Sequence, residues 1–231
     1  MADVAVERTG GIQAAAQGTD HPKLVTLGVL HMAQFFPAAF VGLALPAVFR
    51  KEGLPLEAFW LLAIPQIPRG LKWLIAVPVD AYGSARVGQR KSWIIPCTAL
   101  GALLYVLLAF VPPSVAAVYT IVAILLLKSL IMTAQDIAVD GYAAESMTDA
   151  ERSTGTSIIG FLAFVGTLIG ALLVSTIESF GWARTMAFAA LLLMGAALPA
   201  ILRPEPAPPA ASRRRRERGE RPKIEMYQLG G

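Results

Sequence analysis

Residues 115–142 read VAAVYTIVAILLLKSLIMTAQDIAVDGY, an apolar run of about 25 residues with one lysine near its middle and two aspartates near its end. A helix needs about 20 apolar residues to cross a hydrocarbon layer of about 30 Å. Inside lipid, each backbone polar group must bond within its own segment, and this requirement forces the helix. The stretch therefore predicts a membrane-spanning helix that carries a charge within the membrane.

The same pattern recurs along the chain. Hydrophobic residues make up 55 % and charged residues 16 % of the 231 residues, whereas a soluble domain carries about 25 % charge. We therefore predict an all-α integral membrane protein with six transmembrane helices over residues 24–202. The second block contains Pro65, Pro68 and Gly70, which interrupt a helix. The six blocks are 24–48, 58–79, 93–111, 115–139, 155–177 and 182–202.

Polar segments flank this predicted domain. Residues 1–23 are predicted to form a cytoplasmic tail without a cleaved signal peptide, and residues 203–231 a disordered, Pro/Arg-rich cytoplasmic tail. Of the 20 Lys and Arg residues, 14 fall on the side that holds both termini and three on the other. The positive-inside rule therefore places both termini in the cytoplasm. We expect an inner-membrane protein whose basic tail meets anionic lipid rather than nucleic acid.

Three cations lie inside the predicted helices. Arg69 and Lys128 lie ~16 and ~20 Å from the outer surface at 1.5 Å per residue, and a charge at such depth costs about 2.5–3.5 kcal/mol. The sequence places no acid at the same depth. This predicts a water-filled cavity that receives an anionic small molecule, or acids supplied by another polypeptide. The expected cavity residues are Arg69, Lys72, Lys128, Gln34 and Gln66.

A more conventional arrangement of these charges is also open. Lys72 would then extend to the cytoplasmic interface along its apolar stem. Lys128 would pair with Asp136, about eight residues further along the same helix. Neither residue would then be available to bind a solute.

Polar side chains at the inner helix ends suggest coupling and gating. Asp136 and Asp140 are four residues apart and share one helix face, and the imidazole of His31 titrates near neutral pH. A proton-coupling or gating role is one reading; static anchoring of the loops, with a structural His31, is the other. The expected coupling residues are Asp136, Asp140, His31 and Gln135. The expected cytoplasmic latch consists of Asp80, Arg86, Arg90 and Lys91, with Asp136 and Asp140 facing the same loop cations.

Other features concern packing and chemistry. Gly166 and Gly170 form a small-xxx-small step that predicts close helix packing. The sequence has two histidines and one cysteine without metal-ligand spacing. It also lacks a phosphate loop and a nucleophile elbow. We therefore expect no enzyme, no cofactor and no metal site.

Four spaced motifs resemble the N-terminal six-helix half of a major facilitator superfamily transporter, in the branch of muropeptide permeases, acetyl-CoA transporters and siderophore permeases. The resemblance covers residues 24–202. Ala76 and Ala81 depart from the superfamily's motif between helices 2 and 3, and Gln89 replaces a usual Arg, which implies a weaker latch. The motifs are QDIAVDG at 135–141, LKW at 71–73 with PVD at 78–80, GQRKSW at 88–93, and Glu151-Arg152.

The resemblance implies half of a secondary transporter, because substrate sites in this fold lie between two six-helix halves. The second half would be a distinct membrane chain, since a second copy would place cations opposite cations, although a homodimer is also possible. The solute would be a bulky anion such as a siderophore, a muropeptide or a CoA-like molecule, moved with protons. The alternatives are a non-transporting assembly factor, for example for pigment–protein complexes, and a degenerate fragment.

Overall fold

The computed structural model describes residues 20–83 and 88–202, which fold into helices and connecting turns. A 3-10 segment, Leu56–Gln66, lies between the first two α-helices. Most of the predicted N-terminal tail and the whole C-terminal tail fall outside these described residues. The α-helices are α1 His21–Lys51, α2 Ile67–Gly70, α3 Lys72–Ala81, α4 Lys91–Ala109, α5 Val118–Ser146, α6 Asp149–Phe180 and α7 Trp182–Leu202. A π-helical segment, Phe40–Ala44, interrupts α1.

Five of the described helices, α1 and α4 to α7, are long and apolar enough to cross a membrane. They coincide with five of the six predicted blocks. The remaining block, 58–79, differs from the prediction because it is divided into the 3-10 segment, α2 and α3, with a break at Leu71. Pro65 and Pro68 provide no backbone N–H, and Gly70 weakens a helix. This break determines where the cations of the second block lie.

Helix α1 packs along much of its length against α6. The contact depends on two glycines: a Cβ atom at Gly166 would lie 2.7 Å from the carbonyl oxygen of Met32, and one at Gly170 would meet the carbonyl of Phe36 and the Cβ of Ala39. The close packing predicted at these glycines is confirmed. It holds α1 in position, and α1 supplies one wall of the cavity described below.

The buried side chains form two apolar clusters. One surrounds Phe36, Phe40 and Tyr105, and the centroid of the Tyr105 ring lies 6.1 Å from that of Phe36 and 6.2 Å from that of Phe40. The other surrounds Leu27 and Ile94 nearer the start of α1.

Ion pairs mark the two ends of the bundle. At the end that holds the start of α1, Lys23 pairs with Glu151 at 2.7 Å, and Glu151 also closes a capping box with Thr148. We call this the near end. At the opposite, far end, Lys51 pairs with Glu178. The candidate site lies between these ends.

Candidate functional site

A cavity lies between α1, the 3-10 segment with α2, and α5. Four of the five expected cavity residues lie on its walls, with one serine and one threonine beside them. The exception is Lys72. The polar lining residues are Gln34, Gln66, Arg69, Lys128, Ser129 and Thr133.

Lys128 is the most deeply buried cation of the cavity, with 2 % of the residue exposed. Its Nζ donates a hydrogen bond of 3.3 Å to the hydroxyl of Tyr105 and lies 4.4 Å from the centroid of that ring. A ring face attracts a cation, but it does not neutralise the charge. No carboxylate among the described residues lies within ion-pair distance of Lys128, so the alternative pairing with Asp136 is wrong.

Arg69 lies half-buried at the end of α2. Its guanidinium carbon is 5.6 Å from the centroid of the Phe35 ring, and in the described part of the chain it forms no ion pair. Arg69 is close enough to Lys128 for the two charges to repel each other. Arg69 and Lys128 therefore line one cavity, and neither forms an ion pair with a carboxylate among the described residues.

Two glutamines complete the cavity's polar surface. The Nε2 of Gln66 donates to the carbonyl of Ala38 at 3.3 Å. Gln34 is only 3 % exposed, and neither its Nε2 nor its Oε1 has a hydrogen-bond partner within the structure. Buried polar groups are nearly always hydrogen-bonded. The Nε2 and Oε1 of Gln34 can therefore each still form a hydrogen bond at the cavity wall that α1 supplies.

Lys72 lies elsewhere than predicted. As the first residue of α3, it contacts α5, where its Nζ lies 2.8 Å from Asp136 Oδ2 and 2.5 Å from Asp140 Oδ2. We expected no acid at the depth of Lys72, and this expectation is wrong. The chain breaks at Leu71, and Lys72 then meets Asp136 and Asp140. Lys72 is therefore part of an ion-pair cluster and does not line the cavity.

His31 joins the same cluster from α1. Its Nδ1 lies 2.8 Å from the carbonyl oxygen of Leu27, and its Nε2 lies 3.3 Å from Asp140 Oδ1. A neutral imidazole carries a hydrogen on one nitrogen only, and both nitrogens here face oxygen acceptors. Both contacts are hydrogen bonds only if His31 is doubly protonated or if Asp140 carries a proton. The pair thus provides a position for one additional proton.

The charges of this cluster balance when that proton is present. Lys72 contributes one positive charge, and Asp136 and Asp140 contribute two negative charges. A proton on either His31 or Asp140 makes the sum zero. Because charges are costly within a membrane, the neutral, protonated form is the favoured one when water is excluded. We call these four residues the His31 cluster.

Gln135 lies beside Asp136 in sequence but outside the His31 cluster. It is fully buried; its Nε2 donates to Thr98 Oγ1 at 3.4 Å, and its Oε1 has no partner in the described structure. Its contacts join α5 to α4. The geometry therefore gives Gln135 a packing position rather than contact with the titratable groups.

The latch residues form a separate cluster at the near end. Arg90 Nη1 lies 2.6 Å from Asp80 Oδ1, and Arg90 Nη2 lies 2.8 Å from Glu145 Oε1. Lys91 is 5 % exposed, and Arg86 falls outside the described residues. Among the described residues, the carboxylates of Asp136 and Asp140 pair with Lys72 of α3 and not with Arg90, contrary to expectation.

Glu145 was not predicted as a latch residue. It lies on α5 five residues beyond Asp140 and four beyond Gly141, and an acid this close to the inner end of the helix was a usable signal. Gly141, between them, has no side chain to obstruct Arg90: a Cβ atom there would lie 2.6 Å from Arg90 Nε. The glycine therefore gives the guanidinium its path to both carboxylates.

Gly141→Ala is expected to displace Arg90 and to lower the free energy of unfolding by about 1 kcal/mol, since the pairs that it breaks are partly exposed. Chemical unfolding in mixed micelles measures this. In an Arg90→Gln background the same substitution should leave stability unchanged or raise it, because alanine favours a helix over glycine. An equal loss in both backgrounds would show that Gly141 acts independently of Arg90.

These features define the class of the chain as a multi-pass helical membrane protein with charged groups in its interior. The profile of the Major Facilitator Superfamily matches residues 27–230. The chain belongs to this superfamily, and the expected membership is confirmed. It is therefore a member of a family of membrane transporters.

Two relatives illustrate the relationship. An uncharacterized protein of Haemophilus influenzae is 30 % identical over 165 residues, which are 70 % of this chain and 38 % of that protein. A protein of Rickettsia conorii that carries the transporter name AmpG 4 is 25 % identical over 182 residues, or 76 % of this chain and 44 % of that protein. The chain thus spans about two fifths of the length of these relatives.

Proposed function

We propose that the chain forms one six-helix half of a secondary transporter and binds an anionic solute between itself and a second half. The observation that carries this proposal is that Arg69 and Lys128 line the same cavity. Among the described residues, no carboxylate oxygen lies within 4 Å of the side-chain nitrogens of either residue. Two uncompensated charges at membrane depth would cost about 5–7 kcal/mol. Water and an anion in the cavity would offset this cost.

The same electrostatics supports the proposal of a second half. Arg69 is half-buried within this chain, so its remaining exposed surface would face lipid unless another surface covers it. A second copy would bring cations towards cations, and a distinct six-helix chain avoids this repulsion. The proposed solute is a bulky anion of the siderophore, muropeptide or CoA-like kind, and the proposed location is the inner membrane with both termini cytoplasmic.

The His31 cluster supports proton coupling as part of this proposal. The proton lies between His31 of α1 and Asp140 of α5. Lys72 of α3 pairs with both aspartates of α5. Loss of the proton leaves one net negative charge shared by three helices. Rearrangement of these helices would then follow protonation, which is what coupling of a proton to a conformational change requires.

Anion flux tests the cavity. In proteoliposomes that contain the chain and the six-helix protein that co-purifies with it, Arg69→Gln and Lys128→Gln are each expected to reduce flux at least tenfold. Removing one charged partner of a buried pair costs about 2–5 kcal/mol. Arg184→Gln is the matched control, because Arg184 is exposed and lines a different pocket. Unchanged flux in both cavity variants would contradict the proposal.

His31→Gln tests proton coupling in the same proteoliposomes. Glutamine keeps hydrogen-bonding capacity but does not titrate. We expect solute exchange between the two sides to persist, because exchange needs no net proton movement, and accumulation driven by a pH gradient to fall at least tenfold. Accumulation at the wild-type level would remove His31 from the coupling mechanism.

Affinity purification from native membranes tests the need for a second half. Recovery of a distinct six-helix membrane protein supports the proposal. Recovery of a pigment–protein complex would instead favour the assembly function.

A further inference from the structure

The unpartnered amide of Gln34 distinguishes the cavity from a simple anion-binding site. The residue is 3 % exposed, and neither polar atom of its side chain has a hydrogen-bond partner among the residues that the structure describes. It lies on the same cavity as Arg69 and Lys128. An isolated buried polar group is unfavourable, so a group that enters the cavity can gain binding free energy by satisfying it.

The chemistry of these three side chains differs. Arg69 and Lys128 only donate hydrogen bonds, and a carboxylate only accepts them. Gln34 does both, because its Nε2 needs an acceptor and its Oε1 needs a donor. An ionised carboxylate can satisfy the two cations and Nε2, but it leaves Oε1 without a donor.

We propose that Gln34 is a specificity-determining residue that selects anions carrying an N–H group of an amide beside the charged group. Arg69 and Lys128 hold the anionic group, and Gln34 Oε1 accepts the amide N–H while Nε2 donates to the amide carbonyl or to the anion. This inference rests on the proposed function, because it assumes that the cavity binds an anion. Gln66 does not serve the same role, since its Nε2 already donates to Ala38.

Two small probes isolate the amide N–H. N-acetylglycine contains an amide next to its carboxylate, and levulinate has the same shape and charge with a methylene in place of the N–H. Titration of the chain together with its co-purifying six-helix protein in lipid nanodiscs, followed by ligand-observed NMR, gives both dissociation constants. Wild-type chain is expected to bind N-acetylglycine at least fivefold more tightly, since an unsatisfied buried acceptor weakens levulinate binding.

Gln34→Met removes the amide but keeps a side chain of similar length. This variant is expected to bind both probes within a factor of two of each other, with its levulinate affinity no weaker than that of the wild type. Its melting temperature should not fall, because the Gln34 side chain forms no hydrogen bond with the described residues.

The outcomes separate this inference from the proposed function. Equal binding of both probes by the wild-type chain overturns the role of Gln34, as does a preference that persists in Gln34→Met. If Arg69→Gln still weakens both probes at least fivefold, the anionic cavity stands. If neither probe binds, or if Arg69→Gln weakens neither, the anionic cavity and the role of Gln34 both fail.

Discussion

Gly170→Ala is expected to lower the free energy of unfolding by about 3 kcal/mol or more, the largest effect of any single methyl group that we predict here. The new Cβ would collide with the carbonyl oxygen of Phe36 and the Cβ of Ala39 on α1. Overpacking a side chain costs about 1–3 kcal/mol, and a backbone carbonyl is less able to move aside. The measurement is equilibrium unfolding of the purified chain in mixed micelles.

Gly160→Ala is the matched control because it lies on the same helix with no atom within 4 Å of its added Cβ. Alanine favours a helix over glycine by about 1 kcal/mol, so this substitution should leave stability unchanged or raise it. The two changes thus have opposite expected signs. Equal effects at both positions would show that the contact between α1 and α6 does not control stability.

Lys72→Met is expected to lower the free energy of unfolding by about 1–3 kcal/mol and to raise the mobility of α3. Breaking a fully buried pair costs about 3–5 kcal/mol, but the Lys72 side chain is 35 % exposed, which reduces the effect. Asp136, whose side chain is 11 % exposed, loses its ion-pair partner. Unfolding in micelles gives the stability, and hydrogen exchange of α3 gives the mobility.

Lys51→Met provides the comparison. Lys51 pairs with a single acid, Glu178. The Lys51 side chain is 64 % exposed and that of Glu178 is 51 % exposed. Exposed pairs contribute about 0–1 kcal/mol, so this variant should differ little from the wild type. If Asp136→Asn fails to reduce the cost of Lys72→Met, the pair between Lys72 and Asp136 does not account for that cost.

Membrane helices were predictable because hydropathy is a local property. The blocks that became α1 and α4 to α7 contain enough apolar residues to be recognised one at a time. The second block was also recognised as interrupted, but its division into a 3-10 segment and two short helices was not predicted. Proline and glycine show where a helix can break, whereas the direction that the chain takes afterwards depends on packing against α5.

The candidate site shows the same limit. Arg69 and Lys128 were expected in one cavity on depth alone, and both line it. Tyr105 and Phe35, the rings on which these cations lie, were missed because aromatic residues in apolar helices carry no distinguishing signal. The assignment of Lys72 to the cavity was wrong, since depth in the membrane does not specify the face towards which a side chain points.

The amino-acid sequence alone determined that this chain is a helical membrane protein of the Major Facilitator Superfamily with charges inside its helices, because length, hydropathy and short motifs can be read within one segment. Only the tertiary structure decided which charges are paired. Lys72 meets Asp140 across 68 residues and His31 meets it across 109, and such distant contacts arise from helix packing. That packing neutralises the charge of Lys72 and leaves Arg69 and Lys128 facing a cavity.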